Sequence, residues 1–175
     1  MVNNKKTIQF IGVDCILMVV LTLLDQWTKS LVVHHLKDQN DIILIPGVFQ
    51  LHYLENRGAA FGILQGKKIF FVIFTLIVLC MIAYLYLKRI PDEKKFRPMD
   101  GICILFFAGA LGNFIDRVFR NYVVDFFYFK LIDFPIFNVA DIYVTVAAFA
   151  MIILGLFYYK EEDYNKIFHN ERPAQ

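Results

Sequence analysis

A chain of 175 residues that is 58% hydrophobic and 17% aromatic, with only 19% charged residues, is too apolar for a soluble domain of its length. Its net charge of +2 leaves no electrostatic footprint for a nucleic acid partner. Composition thus excludes those classes and predicts an integral membrane protein.

Taken in chain order, four segments approach the roughly 20 apolar residues that a helix needs to cross a bilayer. They fall at 10–28, 69–87, 99–118 and 137–159 within one membrane domain covering residues 1–175. The first follows the basic start "MVNNKK", but no small-residue cleavage site follows "LTLLDQWTK", so it reads as a retained helix. Between spans one and two, "DIILIPGVFQLHYLENRGAAFGIL" is punctuated by Pro46 and Gly47 and then alternates partially in "VFQLHYL", a pattern that suggests short strands forming a small extracytoplasmic sheet. The second span, "IFFVIFTLIVLCMIAYLYL", carries no charge. Between spans three and four lies an aromatic loop whose Tyr122, Phe126, Phe127, Tyr128 and Phe129 suit an interfacial belt. The expected fold is therefore an all-α, four-span membrane protein with a small outer sheet and an aromatic outer loop.

Lys5 and Lys6, then Lys88, Arg89, Lys94, Lys95 and Arg97, then Lys160, Lys166 and Arg172 fall on one side of four spans. The positive-inside rule makes that side, with both termini, cytoplasmic. Cys15, Cys80 and Cys103 sit in apolar runs and form no disulfide framework. His34, His35, His52 and His169 show no helical zinc-ligand pair, and the adjacent His34 and His35 read as a solvated loop with side chains pointing apart.

The polar residues collect at the outer ends of the spans. Asp25 and Lys29 stand at i, i+4, suited to an ion pair. Gly109, Asn113 and Arg117 share one face of span three, with Asp116 beside them in reach of Arg120. Asn138 precedes Asp141 by one turn as an N-cap, and Asp125 lies in the aromatic loop. Each residue alone reads as a cap or an anchor. As a set they place two carboxylates in apolar surroundings, where desolvation and mutual repulsion favour a pair sharing one proton, one member activating water and the other protonating a leaving group. A proton-coupled exporter using Asp14, or a scaffold whose polar groups hold helices together, remains open at this point.

The strings "DQWTK" at 25–29, "NRGAAFG" at 56–62, "GALGNFIDR" at 109–117, "VVDFF" at 123–127 and "FNVAD" at 137–141 resemble the lipoprotein signal peptidases (signal peptidase II), in order and across all four spans. The resemblance implies a bacterial plasma-membrane aspartyl endopeptidase. It would release signal peptides from diacylglyceryl-modified prolipoproteins by cutting before the lipidated cysteine, near the extracytoplasmic interface. By the same resemblance Asp125 and Asp141 are the catalytic pair. Asn56, Arg57, Gly58, Gly109, Asn113, Arg117 and Asn138 serve the substrate, Gly58 and Gly62 permit close backbone approach, and Asp25, Lys29 and Asp116 give structural support. It implies no metal or other cofactor, no nucleic acid, and a monomer working in membrane lipid.

Overall fold

The computed structural model of the chain describes residues 8–58 and 66–168. In order it contains α1 (Ile8–Leu36), β1 (Ile42–Ile45), β2 (Phe49–Asn56), α2 (Lys68–Tyr84), α3 (Arg97–Phe119), β3 (Val123–Tyr128), α4 (Val139–Phe157) and α5 (Glu161–Phe168). Among the described residues, four helical stretches are long and apolar enough to cross a membrane: Phe10–Leu36, Lys68–Arg89, Lys94–Phe119 and Val139–Phe157. Their outward faces are apolar, with Ile16, Ile77 and Ile152 each more than half exposed. Such a surface is stable only against hydrocarbon.

Helix α3 is the centre of the bundle, and α1, α2 and α4 all pack on it. Its contact with α4 is close because Gly109 carries no side chain. A Cβ there would stand 2.6 Å from the Ala140 carbonyl oxygen and 2.8 Å from Val144 Cγ2. Gly112 lies one turn on, where a Cβ would strike the Asp25 carboxylate. Gly109, expected to face a substrate, is thus a helix-packing position. The start of α2 and the end of α3 are pinned together by Lys68, whose ammonium donates to the Val118 carbonyl and to Asn121 Oδ1.

Among the described residues one sheet of three strands forms, in the order β1-β2-β3, all antiparallel. The β1–β2 hairpin turns at Gly47, whose φ of +71° favours glycine. The third strand is built from the aromatic loop, which reads as an interfacial belt in the sequence. Its Val123, Val124 and Phe126 are buried, Val124 and Phe126 in a cluster with Val32 and Leu36 from the end of α1. That packing also explains why α1 runs on to Leu36, past the expected end at residue 28. His34 and His35 accordingly lie in the last turn of α1 rather than in a loop, with their rings edge to face at 4.7 Å.

At the opposite end, Phe96, Tyr159 and Ile167 form a second buried cluster with Ile82, Tyr86, Ile90 and Cys103. Asp14 is buried nearby and accepts a hydrogen bond from the Tyr86 hydroxyl.

Gly109→Ala is expected to destabilise the protein by about 1–3 kcal/mol through overpacking. Gly101→Ala, where nothing lies within 4 Å, should leave stability unchanged or raised. Thermal unfolding of both variants in detergent checks the contrast.

Candidate functional site

Asp125 sits mid-strand in β3, and Asp141 occupies the first turn of α4. Asn138 caps α4 in a capping box. Its side-chain oxygen accepts from the Asp141 backbone N–H at 3.0 Å, and its own N–H donates to Asp141 Oδ2 at 3.1 Å. The same side chain donates through Nδ2 to Asp125 Oδ1 at 2.6 Å. A single asparagine therefore holds both aspartates.

Two further amides complete the set. Asn56 Nδ2 donates to Asp125 Oδ2 at 2.9 Å, its oxygen accepting from the Gly58 N–H. Asn113 Nδ2 donates to Asp141 Oδ1 at 2.8 Å. All three amide oxygens are occupied by donors, so each NH₂ group must point at an aspartate. Every carboxylate oxygen of the pair thus takes one protein donor and keeps lone-pair capacity for a water or a peptide.

The orientation of Asn113 is imposed from below. Lys29, fully buried, spends its three ammonium protons on Asn113 Oδ1 at 2.8 Å, Asp25 Oδ2 at 2.9 Å and Asp116 Oδ2 at 3.2 Å. The two carboxylates in turn grip backbone. Asp25 Oδ1 accepts from the N–H of Ala140, the residue before Asp141. Asp116 Oδ2 accepts from the N–H of Val124, the residue before Asp125. Asp116 Oδ1 faces the Arg120 guanidinium at 3.6 Å, the partner expected from sequence, but the closer cation is Lys29. With Arg120 included, the cluster's formal charges cancel.

Asp125 lies outside the membrane-spanning helices, and its carboxyl is pushed up to about 7. Burial is the main cause and the Asp141 charge the next. The Asn56 and Asn138 hydrogen bonds and the Lys29 charge pull in the other direction. Arg117 stands over the Phe71 ring at 4.9 Å and donates to the Asn113 carbonyl, its charge directed at the aspartate pair. Arg57 is turned aside, exposed, paired with Glu55 at 2.9 Å and lying over the Tyr122 ring. The arrangement brings Asn56, Asn113 and Asn138 to the two aspartates, holds Arg117 against the Asn113 backbone and Phe71, and leaves Arg57 at the rim. Gly62 lies outside the described residues.

Sequence reasoning missed the backbone N–H groups of Val124 and Ala140, which carry no side-chain signal. It also missed Gln26, whose amide donates to the Gly112 carbonyl at 3.0 Å and to Asp25. Its place inside "DQWTK" was the available clue.

Residues 17–157 match the family described as signal peptidase (SPase) II. A lipoprotein signal peptidase of Streptococcus thermophilus (strain CNRZ 1066) is 47% identical over 140 residues, 80% of this chain and 88% of that protein. One from Streptococcus pyogenes serotype M5 (strain Manfredo) is 40% identical over 147 residues, 84% and 93% of the two chains. Two solved bacterial membrane enzyme structures, obtained by the in meso method, share the fold. One has 34% identity and a TM-score of 0.74 over 98% of both chains. The other has 38% identity and a TM-score of 0.76 over 89% of this chain and 99% of that one.

Lys29→Met leaves the buried Asp25 carboxylate without a cation and Asp116 with Arg120 alone, and is expected to cost about 3–5 kcal/mol. Adding Asp25→Asn and Asp116→Asn should recover part of that loss. Denaturation of the single and triple variants in the same detergent measures both values.

Proposed function

The chain belongs to the signal peptidase II family, a multi-pass bacterial membrane protease, and on that premise we propose that it removes signal peptides from diacylglyceryl-modified prolipoproteins, cutting just before the lipidated cysteine. Asp125 and Asp141 are the catalytic pair in this reading. The observation that carries it is the pair itself: two buried carboxylates, one on a strand and one on a helix, bridged by Asn138 and pinned at all four oxygens.

The reaction needs one proton on the pair. The ionised member takes a proton from a water, and the resulting hydroxide attacks the scissile carbonyl carbon. The protonated member supports the developing oxyanion, and a proton then passes to the leaving amine as the C–N bond breaks. Arg117 places a fixed positive charge beside the pair, and the three asparagine amides hold both carboxylates in register. Backbone grips one residue before each aspartate, from Asp116 and Asp25, fix the strand and the helix that carry them.

The site lies at the extracytoplasmic interface with both termini cytoplasmic. This orientation rests on Lys88, Arg89, Lys94, Lys95, Lys160 and Lys166, which cluster at the bundle end opposite the sheet. The lipid chains of the substrate then remain in the bilayer while its peptide meets the aspartates, and one copy of the chain supplies every catalytic group.

Cleavage of a diacylglyceryl-modified prolipoprotein peptide by the purified protein tests this reading. Asp125→Asn and Asp141→Asn, at matched folded fraction, are each expected to lose about 10²–10⁴-fold in kcat. The pH profile should be bell-shaped. As pH rises through about 7 the pair loses its shared proton and with it the acid, so activity falls on that limb. As pH falls the second proton binds and the base is lost. Cleavage at another bond, or full activity of either variant, contradicts the assignment.

A further inference from the structure

An apolar groove of about 450 Å³ lies between α1 and the Lys68–Arg89 span, with α3 as its floor. Ile11, Thr22 and Leu23 line it from α1, Ala83 and Leu87 from the second span, and Leu111 from α3. These residues centre on the half of the bundle opposite the sheet, so the groove is separate from the aspartate pair. Its two hydroxyl groups are spent on the protein: Thr22 donates to the Met18 carbonyl at 2.8 Å, and Tyr86 donates to Asp14. The wall left for an occupant is apolar.

The shape of the groove selects a single chain. Ile11 and Leu23 are 23 − 11 = 12 residues apart on α1, about 18 Å at 1.5 Å per residue. Spread over that length, 450 Å³ gives a channel roughly 25 Å² in section, about 5–6 Å across. One hydrocarbon chain fits, since carbon atoms pack about 4 Å apart. A helix about 10–12 Å wide does not.

Charge at the mouth selects the head group. Lys88 follows Leu87 at the end of the groove, is exposed, and its ammonium has no partner among the described residues. Its basic neighbours are committed: Arg89 donates to the Phe168 carbonyl, Lys95 pairs with Asp163, and Arg97 pairs with Asp92 and Asp100. The acids at this end are therefore held as well, Asp14 by Tyr86 and the others by Lys95 and Arg97. A second apolar groove, of about 590 Å³ between α1 and α4, ends instead at Pro98, beside the paired Arg97. Of the two, the first combines an apolar channel with an unpaired cation.

We propose that the α1–α2 groove holds one acyl chain of an anionic phospholipid from the leaflet on the basic side, with the lipid phosphate on Lys88. A zwitterionic lipid can seat the same chain, but it brings a cation of its own to the lysine. The site stands apart from the proteolysis proposed above and does not depend on it.

Native mass spectrometry of the detergent-solubilised protein, given equimolar phosphatidylglycerol and phosphatidylcholine with identical chains, measures the preference. One phosphatidylglycerol is expected to be retained about fivefold over phosphatidylcholine, the effect of one lysine near a lipid phosphate. Lys88→Gln should bring that ratio close to one. Ala83→Phe, which fills the channel, should lower retention of both lipids about fivefold, and Ala150→Phe in the second groove should change neither value. Equal retention of the two lipids by the parent, or parent-like values in Lys88→Gln or Ala83→Phe, overturns the proposal. A readout on the unaltered chain guards against misfolded variants. Phosphatidylglycerol with a photoactivatable group at the end of one acyl chain should crosslink chiefly to Met18, Leu23 and Leu111. Crosslinks spread evenly over outward residues such as Ile77 and Ile152 would mean general boundary lipid only and would also overturn it.

Discussion

The buried ammonium of Lys29 is the constraint on which the site depends. A lysine with no solvent contact is stable only if each of its protons meets an acceptor, and here the three acceptors come from two helices, at Asp25, Asp116 and Asn113. Through the second oxygen of Asp25 and the shared oxygen of Asp116, the same cluster reaches the backbone just before Asp141 and just before Asp125. One charge therefore ties α1, α3, α4 and β3 together at a single level. The glycines of α3 follow from this arrangement: Gly112 makes room for the Asp25 carboxylate and Gly109 lets α4 close in.

This architecture separates two electrostatic environments a few side chains apart. In the lower cluster the formal charges of Lys29, Arg120, Asp25 and Asp116 cancel. The upper pair is desolvated, carries two carboxylates, and meets neutral amide donors. Burial there outweighs the donors, which is why the Asp125 carboxyl is raised rather than lowered. For a proposed aspartyl protease that is the useful outcome, because a pair that ionised fully would have no acid to offer. Rigidity matters equally, since both carboxylates must be held in register for one to act as base and the other as acid.

Much of this was legible in the sequence, for identifiable reasons. The four spans stand out because lipid-facing helices are apolar all round, and the β1–β2 hairpin announces itself through Pro46 and Gly47. Asn138 reads directly as a cap. Strand β3 did not read as a strand, because Val123, Val124 and Phe126 are buried and Asp125 is too, leaving no alternation to detect. The sequence points to an early end for α1 because Asp25 and Lys29 look like the edge of the membrane. In the structure they are internal, and the helix continues to bury Val32 and Leu36. Asp116 looked committed to Arg120 four residues away. Its closer partner, Lys29, is distant in sequence and could be found only in the folded chain. The aspartates themselves were identified from motif resemblance, whereas the network that orients them became visible only through hydrogen bonds to backbone.

The central claim is that the Asp125–Asp141 pair holds one shared proton near neutral pH. Isotope-edited infrared spectroscopy of the protein labelled with ¹³C-carboxyl aspartate, with the Asp125→Ala spectrum subtracted, tests it most directly. The account predicts a protonated-carboxyl band present at pH 6, disappearing with a midpoint near 7 and absent from the variant. A pair fully ionised at pH 6, with the band vanishing in the ordinary carboxylate range near 4, would contradict it.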